Sequence, residues 1–453
     1  MVLIITRGYK YTWDCPKTIE ELKELIKARK ADEQEWSCDL REIDPPMEVL
    51  NRNLFCECTS LVDVIIPDSV TNIEEHAFAF CSKLDEINIP INVTSIKQGA
   101  FFGCTGLTSI KVAKGNKVYD SRDNCNAIIK TATKCLIVGC SSTVIPNGVT
   151  CIGQGAFRAC GNLTSIDIPN SVKKICQFAF DRSGLTSIVL SNQLTEIGPE
   201  AFFGCRFTEI NIPAKVGKIH PTAFNGCSNL ATITVEGGNV VYDSRDNCNA
   251  IIETSTNCLI TGCGSAIIPN SVTEISAYAF SYCGSLTSIN IPDSVTKIGS
   301  SAFYYCESLS SVSLPGSVKD LGNGIFNNCS GLTDVNIQHG ITKIKQAMFF
   351  KCSNLTSVTI PNSVKTIERS AFECCSSLTN MNIPDSVTTI DDNAFKGCSV
   401  LKEVVLPADV KRIHKNAFDG CNALQKIYVP ARKSACFETR LSLSLHSKIV
   451  EFA

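Results

Sequence analysis

The sequence lacks the charge excess and the long apolar runs that would point to nucleic acid or membrane. Its 42 Lys and Arg residues are balanced by 44 Asp and Glu residues, which gives a formal net charge of −2 over 453 residues. A charge this close to zero gives no support for binding to nucleic acid or to an anionic membrane surface. No segment approaches the roughly 18 consecutive apolar residues of a membrane span. We therefore predict neither nucleic-acid binding nor membrane insertion.

A secretory signal is also missing from the amino terminus. The opening MVLIITRGYKYTWD has no basic start, and its apolar stretch is short. A signal peptide needs a longer apolar core and a cleavage site of small residues. We therefore expect the chain to act in the cytoplasm.

Motifs of enzymes are absent as well. The five histidines stand at positions 76, 220, 339, 414 and 446, and none lies within five residues of another. The sequence contains no G-x-S-x-G, P-loop, G-x-G-x-x-G or H-E-x-x-H pattern. The carboxylate pair Asp391-Asp392 falls at a repeat turn, where charge is usually solvated. We predict a protein that is not an enzyme and that binds no cofactor.

A repeat dominates what the sequence does contain. The phrase Ala-Phe-x-x-Cys and its degenerate forms place a phenylalanine at positions 55, 78, 101, 157, 180, 202, 224, 280, 303, 326, 349, 372, 395 and 418. The usual step is 23 residues, two steps are 22, and two are 56. Each long step is one repeat plus an insert of 33 residues. The spacing therefore predicts about fourteen stacked units with two insertions.

Each unit has the pattern of one coil of a solenoid. In Leu286–Cys306, LTSINIPDSVTKIGSSAFYYC, the alternating LTSINI predicts a strand with one buried face, and Pro292 ends it. Val295 and Ile298 predict a second, short extended segment. Ser301–Phe303 predicts one helical or 3₁₀ turn that places the phenylalanine in the core. A single coil cannot bury these faces, so the coils are expected to stack.

These residues resemble the BspA-type leucine-rich repeat. The shared phrase is I-P-x-S-V-x-x-I-x-x-x-A-F-x-x-C-x-x-L-x-x-I, and it covers roughly residues 51–429. The resemblance implies a β-rich leucine-rich-repeat solenoid. It also implies adhesion, because members of this family are often surface proteins that bind host or neighbouring-cell proteins. We therefore expect a non-enzymatic scaffold for a protein partner, with a secreted or cell-surface adhesin as the alternative.

A row of thirteen cysteines follows the repeat. Each stands three residues after a repeat phenylalanine, and Ser183 replaces the fourteenth. We predict buried, reduced thiols that act as small hydrophobic side chains. Equivalent side chains on stacked coils run parallel rather than converging, which disfavours disulfide pairing. Metal binding or redox sensing is the alternative. The row favours a reducing compartment.

The inserts, near residues 113–145 and 236–268, share the eleven residues YDSRDNCNAII. Two β-prone runs separated by four residues predict a hairpin in each insert. In the family that the chain resembles, the preceding turn is usually Ser-x-Asp-Gly. Asn124 and Asn247 fill the glycine position here, and asparagine tolerates left-handed geometry. The alternatives are exposed turn residues that contact a partner and, least favoured, a metal-binding or enzymatic role for the duplicated Asp and Cys residues; we expect no metal.

The outward side chains of the long strands are the candidate binding residues. In each Leu-x-x-Ile-x-Ile strand, the third and fifth positions should face outward, on the concave side that solenoids use for binding. A plain solvated sheet face is the alternative. The candidates occupy the fifth position, and they are Asn211, Thr234, Asn290, Ser313, Asn336, Thr359, Asn382 and Tyr428.

The two ends of the chain depart from the repeat and are expected to be α/β caps. Residues 1–50 predict an N-terminal cap, with a strand at Val2–Thr6 and an amphipathic helix from Ile19 to about Ala28. Residues 430–453 resemble the family's terminal segment, a helix followed by a short strand. The predicted organisation is therefore cap, solenoid over 51–429, and cap.

Overall fold

The computed structural model describes residues 2–6, 9–31, 33–431, 437 and 441–452. The chain divides into two compact units, unit 1 over Met1–Phe224 and unit 2 over Asn225–Ala453. Both units are built almost entirely from short strands and turns. No helix in the described part of the chain has the length and apolar character of a membrane span.

Unit 1 contains seventeen described strands, one α-helix and one short 3₁₀ helix. In chain order they are β1 (Val2–Thr6), β2 (Tyr9–Asp14), α1 (Ile19–Lys30), β3 (Trp36–Asp39), β4 (Val49–Leu50), β5 (Leu61–Ile65), β6 (Asn72–Ile73), β7 (Glu86–Ile89), β8 (Ser95–Ile96), β9 (Ser109–Val112), β10 (Tyr119–Asp120), a 3₁₀ helix (Arg122–Asn124), β11 (Ala127–Lys130), β12 (Cys135–Gly139), β13 (Cys151–Ile152), β14 (Lys174–Ile175), β15 (Glu196–Ile197), β16 (Glu209–Ile212) and β17 (Lys218–Ile219).

Unit 2 repeats this organisation without a long helix in its described residues. Its elements are β18 (Thr232–Val235), β19 (Tyr242–Asp243), a 3₁₀ helix (Arg245–Asn247), β20 (Ala250–Glu253), β21 (Cys258–Gly262), β22 (Glu274–Ile275), β23 (Ser288–Asn290), β24 (Lys297–Ile298), β25 (Ser311–Leu314), β26 (Asp320–Leu321), β27 (Asp334–Ile337), β28 (Lys343–Ile344), β29 (Ser357–Thr359), β30 (Thr366–Ile367), β31 (Asn380–Asn382), β32 (Thr389–Ile390), β33 (Glu403–Val405), β34 (Arg412–Ile413), β35 (Lys426–Pro430), a 3₁₀ helix (Leu443–Lys448) and β36 (Ile449–Phe452).

Helix α1 forms where the sequence predicts it and extends to Lys30. Thr18 caps its start, and the Thr18 hydroxyl accepts a hydrogen bond from the backbone N–H of Glu21 at 3.1 Å. Leu22 and Ile26 are buried against the core of unit 1. Their four-residue spacing puts both on one face of the helix.

Two kinds of parallel ladder hold the coils together. The long strands pair with the long strands of neighbouring coils, as in the sheet β23-β25-β27-β29 of unit 2. The short strands do the same, as in β28-β30-β32-β34. In β25 the side chains of Val312 and Leu314 are buried, whereas Ser311 is exposed. The alternation predicted for the long strand is therefore confirmed, and the fold is a β-solenoid as expected.

The solenoid has about 19 turns rather than the fourteen coils predicted. Segments outside the phenylalanine repeat also contribute to the ladders. Strand β3 pairs in parallel with β5, and the hairpin strand β12 pairs in parallel with β13. In unit 2, β36 pairs in parallel with β35. The phenylalanine count therefore underestimates the number of turns.

The turn that carries each phenylalanine is not the helical or 3₁₀ turn expected from the sequence. In the coil of Phe349, alternate backbone N–H groups bond to the next coil, and Phe349 donates to the carbonyl of Ala371 at 2.8 Å. The intervening N–H groups close short turns, as Cys352 does on Phe349 at 3.1 Å. This alternation forces Ala347 (φ 53°) and Lys351 (φ 58°) into the left-handed region. Bonding between coils therefore replaces bonding within a helix.

The phenylalanine rings form a continuous stack in the interior of unit 2. From Phe280 to Phe418, neighbouring ring centroids lie 5.0 to 5.7 Å apart, and the ring planes are inclined by no more than 15°. Phe326, Phe349 and Phe372 are fully buried. Each ring in this stack thus packs face to face against the ring of the next coil.

The row cysteines are buried beside this stack, as predicted. The thiol of Cys352 donates to the carbonyl of Phe326 in the preceding coil at 3.2 Å, and Cys375 does the same to Phe349 at 3.1 Å. Burial raises the pKa of both thiols well above the usual value. A thiol suits this position because it fills the space of a small apolar side chain and also supplies a donor.

Both inserts form the predicted hairpins. In unit 1, β11 and β12 pair antiparallel across the four-residue connection 131–134, and β10 pairs with the other edge of β11. In unit 2, β19, β20 and β21 repeat the arrangement. Asn124 (φ 52°) and Asn247 (φ 51°) adopt the left-handed conformation expected of them.

The two ends of the chain are described only in part. Strand β1 lies at the predicted position and pairs antiparallel with β2. At the carboxyl end, β36 is the short strand expected there, and a 3₁₀ helix precedes it. The helix expected within residues 430–453 falls partly on residues 432–436 and 438–440, which lie outside the described residues. The division into cap, solenoid and cap stays a prediction.

The left-handed turn residues give a first testable prediction. Replacing Ala347 by Gly should raise the free energy of unfolding by up to about 1 kcal/mol, because glycine adopts positive φ without steric cost. Ala347→Val should lower it by roughly 1–2 kcal/mol, because a β-branched residue is strained there. Urea unfolding of the full chain measures both.

Ala423 supplies the control, since its φ is not positive. Ala423→Gly should destabilise the protein by about 0.5–1 kcal/mol. If glycine were destabilising at Ala347 as well, the described turn geometry would be wrong.

Candidate protein-interaction surface

The outward side chains of the long strands form a regular polar surface in unit 2. In β27, Asp334 and Asn336 are exposed, whereas Val335 and Ile337 are buried. The same alternation occurs in β23, β29 and β31. The third and fifth positions of the repeat strand therefore face outward, as the sequence predicts.

Four of the candidate residues lie in one row. The register pairs Asn290 with Ser313, Ser313 with Asn336, and Asn336 with Thr359. Neighbouring members are therefore separated by one strand spacing, ~4.8 Å. We call these four residues the polar row.

The remaining candidates lie outside this hydrogen-bonded sheet, although β31 with Asn382 contacts β29 with Thr359. Asn382 pairs in register with Val405, and Val405 pairs with Tyr428, in the separate sheet β31-β33-β35-β36. Asn211 is exposed on β16 of unit 1, and Thr234 is exposed on β18 of unit 2. The hydrogen-bonded register thus aligns four of the eight residues that the sequence singled out.

The polar row has the chemistry of a hydrogen-bonding surface rather than of a catalytic site. The amide of Asn336 donates to the hydroxyl of Ser313 at 3.1 Å. Asn, Ser and Thr each offer donors and acceptors on short side chains. The parallel row at the third position adds one carboxylate, Asp334, to three serines. This surface can recognise a polar partner, but it does not place a nucleophilic side chain beside a general base.

Charges on the short-strand ladder are paired between coils instead. In unit 1 the ammonium groups of Lys174 and Lys218 lie 3.0 and 3.1 Å from the carboxylate of Glu196. Hydrogen bonds from both lysines lower the pKa of Glu196, and the bond to Glu196 raises the pKa of Lys174. Since these charges satisfy one another, this ladder is a weaker candidate for partner binding than the polar row.

Unit 2 contains a tyrosine cluster that was not predicted from the sequence. The rings of Tyr282, Tyr304 and Tyr305 lie 5.1 to 5.3 Å apart. Tyr282 is 37% exposed, and the nearby turn residue Tyr278 is 43% exposed. The signal was present in the phrases AYAFSYC and AFYYC, where aromatic residues flank the buried phenylalanine. Tyrosine is enriched at the centres of protein interfaces.

A small cavity lies beneath the first hairpin in unit 1. Its volume is about 230 Å³, and its walls include Phe101, Tyr119, Ile137 and Arg158. The guanidinium of Arg158 lies 4.7 Å above the ring of Phe102. The cavity is smaller than the roughly 300–1,000 Å³ of typical small-molecule sites. It is therefore a weak candidate for a ligand site.

In the duplicated stretch of the inserts, the polar side chains bond to groups of the same turn and its neighbouring strand. The guanidinium of Arg122 pairs with the carboxylate of Asp120, and the hydroxyl of Ser121 accepts a hydrogen bond from the N–H of Val112 at 2.9 Å. In the second copy, Arg245 pairs with Asp243. Among the described residues, no group of three or more His, Cys, Asp or Glu side chains is arranged to hold a metal ion. These Asp and Arg residues therefore fix the hairpin entry.

Comparison with protein families gives a match over most of the chain. A family model described as the BspA type leucine rich repeat region, present in 6 copies, matches residues 36–133, 150–246, 253–375 and 331–444. No curated protein is similar enough to count as a match.

Solved structures of bacterial leucine-rich repeat proteins resemble the chain. A protein from Eubacterium ventriosum is 24% identical over 80% of this chain and 83% of its own, with a TM-score of 0.54. A protein from Bacteroides ovatus is 28% identical over 85% and 88%, with a TM-score of 0.47. A leucine rich cell surface protein from Faecalibacterium prausnitzii is 27% identical over 85% and 83%, with a TM-score of 0.44. The first of these supports the fold.

Proposed function

Because the chain belongs to the BspA-type leucine-rich repeat family, we propose that it is a non-enzymatic scaffold that binds a protein partner. The contact is made through the polar row of unit 2, Asn290, Ser313, Asn336 and Thr359. The observation that carries this proposal is the register of these four outward side chains on adjacent parallel strands.

The energetics of the polar row favour binding. Its side chains are short and stand on strands whose backbone is already fixed by the ladder. Ordering them in a complex therefore costs less conformational entropy than ordering long side chains, which lose about 1.5–2 kcal/mol each when buried. Their donors and acceptors repeat at one strand spacing, so an extended polar segment of a partner can follow the row.

The character of the partner follows from the charges around the row. Asp334 stands on the same face of β27 as Asn336, and it is the one charged residue at the outward positions of β23, β25, β27 and β29. A neutral or basic protein surface therefore fits this face better than an acidic one.

Arginine substitutions in the row test the proposal. A partner is first isolated with the immobilised wild-type chain, and its Kd is then measured with purified proteins by calorimetry. The double variant Asn290→Arg with Asn336→Arg should weaken binding at least tenfold, because two long charged side chains stand above the face, and a change of about 1.4 kcal/mol is tenfold in Kd.

The matched control places the same substitutions outside the row. Asn354 and Asn362 are exposed asparagines of unit 2 that do not lie on a long strand. Asn354→Arg with Asn362→Arg should leave Kd unchanged. Equal affinity of the row variant and the wild type would overturn the proposal. A loss seen only with Tyr282→Ser and Tyr305→Ser would move the contact to the tyrosine cluster.

Adhesion at the cell surface is the alternative function, and the family resemblance supports it. The row cysteines do not decide between the two locations. Burial raises the pKa of thiols such as Cys375, and a protonated buried thiol resists oxidation in either compartment. The cytoplasmic location stays the expectation, and the cell surface stays the alternative.

Cell fractionation separates the two functions. We expect the protein in the cytosolic fraction, and protease added to intact cells should leave it uncleaved. Recovery from the cell surface with cleavage on intact cells would contradict the cytoplasmic proposal and favour the adhesin. A cytosolic marker protein, which must survive the same treatment, controls for lysis.

A further inference from the structure

Three cysteines of unit 1 lie close together on the short-strand ladder. They do not belong to the thirteen row cysteines that pack beside the phenylalanine stack. Cys135 on β12 and Cys151 on β13 are register partners. Cys176 follows β14, and its Sγ lies 3.3 Å from Sγ of Cys151. All three thiols are half-buried. We call these residues the cysteine trio, with Cys151 at its centre.

The trio differs from the row cysteines in both contacts and access. A row thiol such as Cys352 is fully buried and donates to a backbone carbonyl. In the trio the sulfur atom of Cys151 contacts that of Cys176 directly. Cys135 is the register partner of Cys151 on the neighbouring strand. The trio thus combines partial exposure with sulfur–sulfur proximity, which a disulfide requires.

The second copy of the duplicated block shows that the fold does not require the trio. The residues 123 positions later are Cys258, Glu274 and Gly299. Glu274 occupies the place of Cys151 and pairs with Lys297 at 2.9 Å. Since the second copy forms the same ladder with one cysteine, the trio is particular to the first copy.

We propose that the cysteine trio is a site of reversible oxidation, at which a hydroperoxide converts Cys151 and one neighbouring thiol into a disulfide. The site is independent of the protein-binding role of the polar row. The oxidised form joins neighbouring turns of unit 1 covalently.

The chemistry begins with the most acidic thiol of the trio. The hydrogen bond from Cys151 lowers the pKa of Cys135, and Lys130 and Lys174 act in the same direction. The Cys135 thiolate attacks the peroxide, so that an S–O bond forms, the O–O bond breaks and hydroxide leaves. Sγ of Cys151 then loses its proton and attacks Sγ of Cys135. The S–S bond forms as the S–O bond breaks, and the hydroxyl leaves as water.

The reaction balances with hydrogen peroxide as the oxidant. Two thiols lose two protons and two electrons, and one peroxide becomes two water molecules. Cys176, in contact with Cys151, can then exchange into the disulfide and return Cys135 to its thiol form without further electron transfer. Either product contains Cys151.

Oxidation of the full-length chain tests the proposal. The reduced protein is treated with one equivalent of hydrogen peroxide, free thiols are alkylated with N-ethylmaleimide, and the linked peptides are identified by mass spectrometry. We expect one disulfide that joins Cys151 to Cys135 or Cys176. After denaturation, the row cysteines and Cys258 should be fully alkylated. Dithiothreitol should reduce the disulfide.

Substitution of Cys151 by Glu is the decisive variant. It copies the residue that the second block carries at this place, and Lys174 stands where Lys297 pairs with Glu274, so the ladder should form. An unchanged thermal melt verifies the fold, and Cys151→Ser is the second variant. Both should abolish the disulfide. A disulfide that excludes Cys151, a link that persists in these variants, or oxidation of the row cysteines at the same rate would overturn the proposal.

Discussion

The contact between neighbouring phenylalanine turns is the interaction on which this structure depends. Within each run of coils that no insert interrupts, a repeat phenylalanine stacks its ring on that of the next coil and also donates its backbone N–H across the same interface, as Phe349 does to Ala371. The ring excludes water from the hydrogen bond, and the hydrogen bond fixes the spacing of the rings. The thiol that follows three residues later satisfies the carbonyl of the preceding phenylalanine. One short phrase therefore supplies apolar burial, backbone pairing and a side-chain donor.

This constraint decides which positions are available for function. The phenylalanine, the cysteine and the inward strand residues are committed to the core of each unit. Outward strand positions, turn residues beside the phenylalanine, and the exposed side of the short strands are not. The polar row, the tyrosine cluster and the cysteine trio occupy these three kinds of position. A repeat with a constant core can thus carry different surfaces on different coils, which is how solenoids acquire binding specificity.

Most of the fold could be predicted from the periodicity of the sequence. The alternation in LTSINI predicted the long strand, and Asn124 marked the turn of the hairpin correctly. The conformation of the phenylalanine turn was not predictable in this way, because residues such as Ala347 and Lys351 carry no left-handed signal of their own. Hydrogen bonds to the next coil impose their φ. A short sequence pattern does not reveal hydrogen bonds to a coil that lies 23 residues away in the chain.

The candidate site was predictable to a lesser extent for the same reason. The outward positions followed from strand alternation, but their grouping into one row depends on register between coils. The cysteine trio was hidden because its members are 16 and 25 residues apart and none belongs to the thirteen-residue row. Only the stacking of β12, β13 and β14 brings their sulfur atoms together.

Truncation of one stacked ring tests the central claim most directly. Phe349→Ala removes a fully buried ring between two neighbours, and equilibrium unfolding in urea should show a loss of roughly 3–5 kcal/mol. Phe80→Ala removes a ring that is 42% exposed and lies outside the stack, and its cost should be clearly smaller. A loss at Phe349 no greater than the loss at Phe80 would contradict the account, because the coils would then be held together by their strand ladders alone.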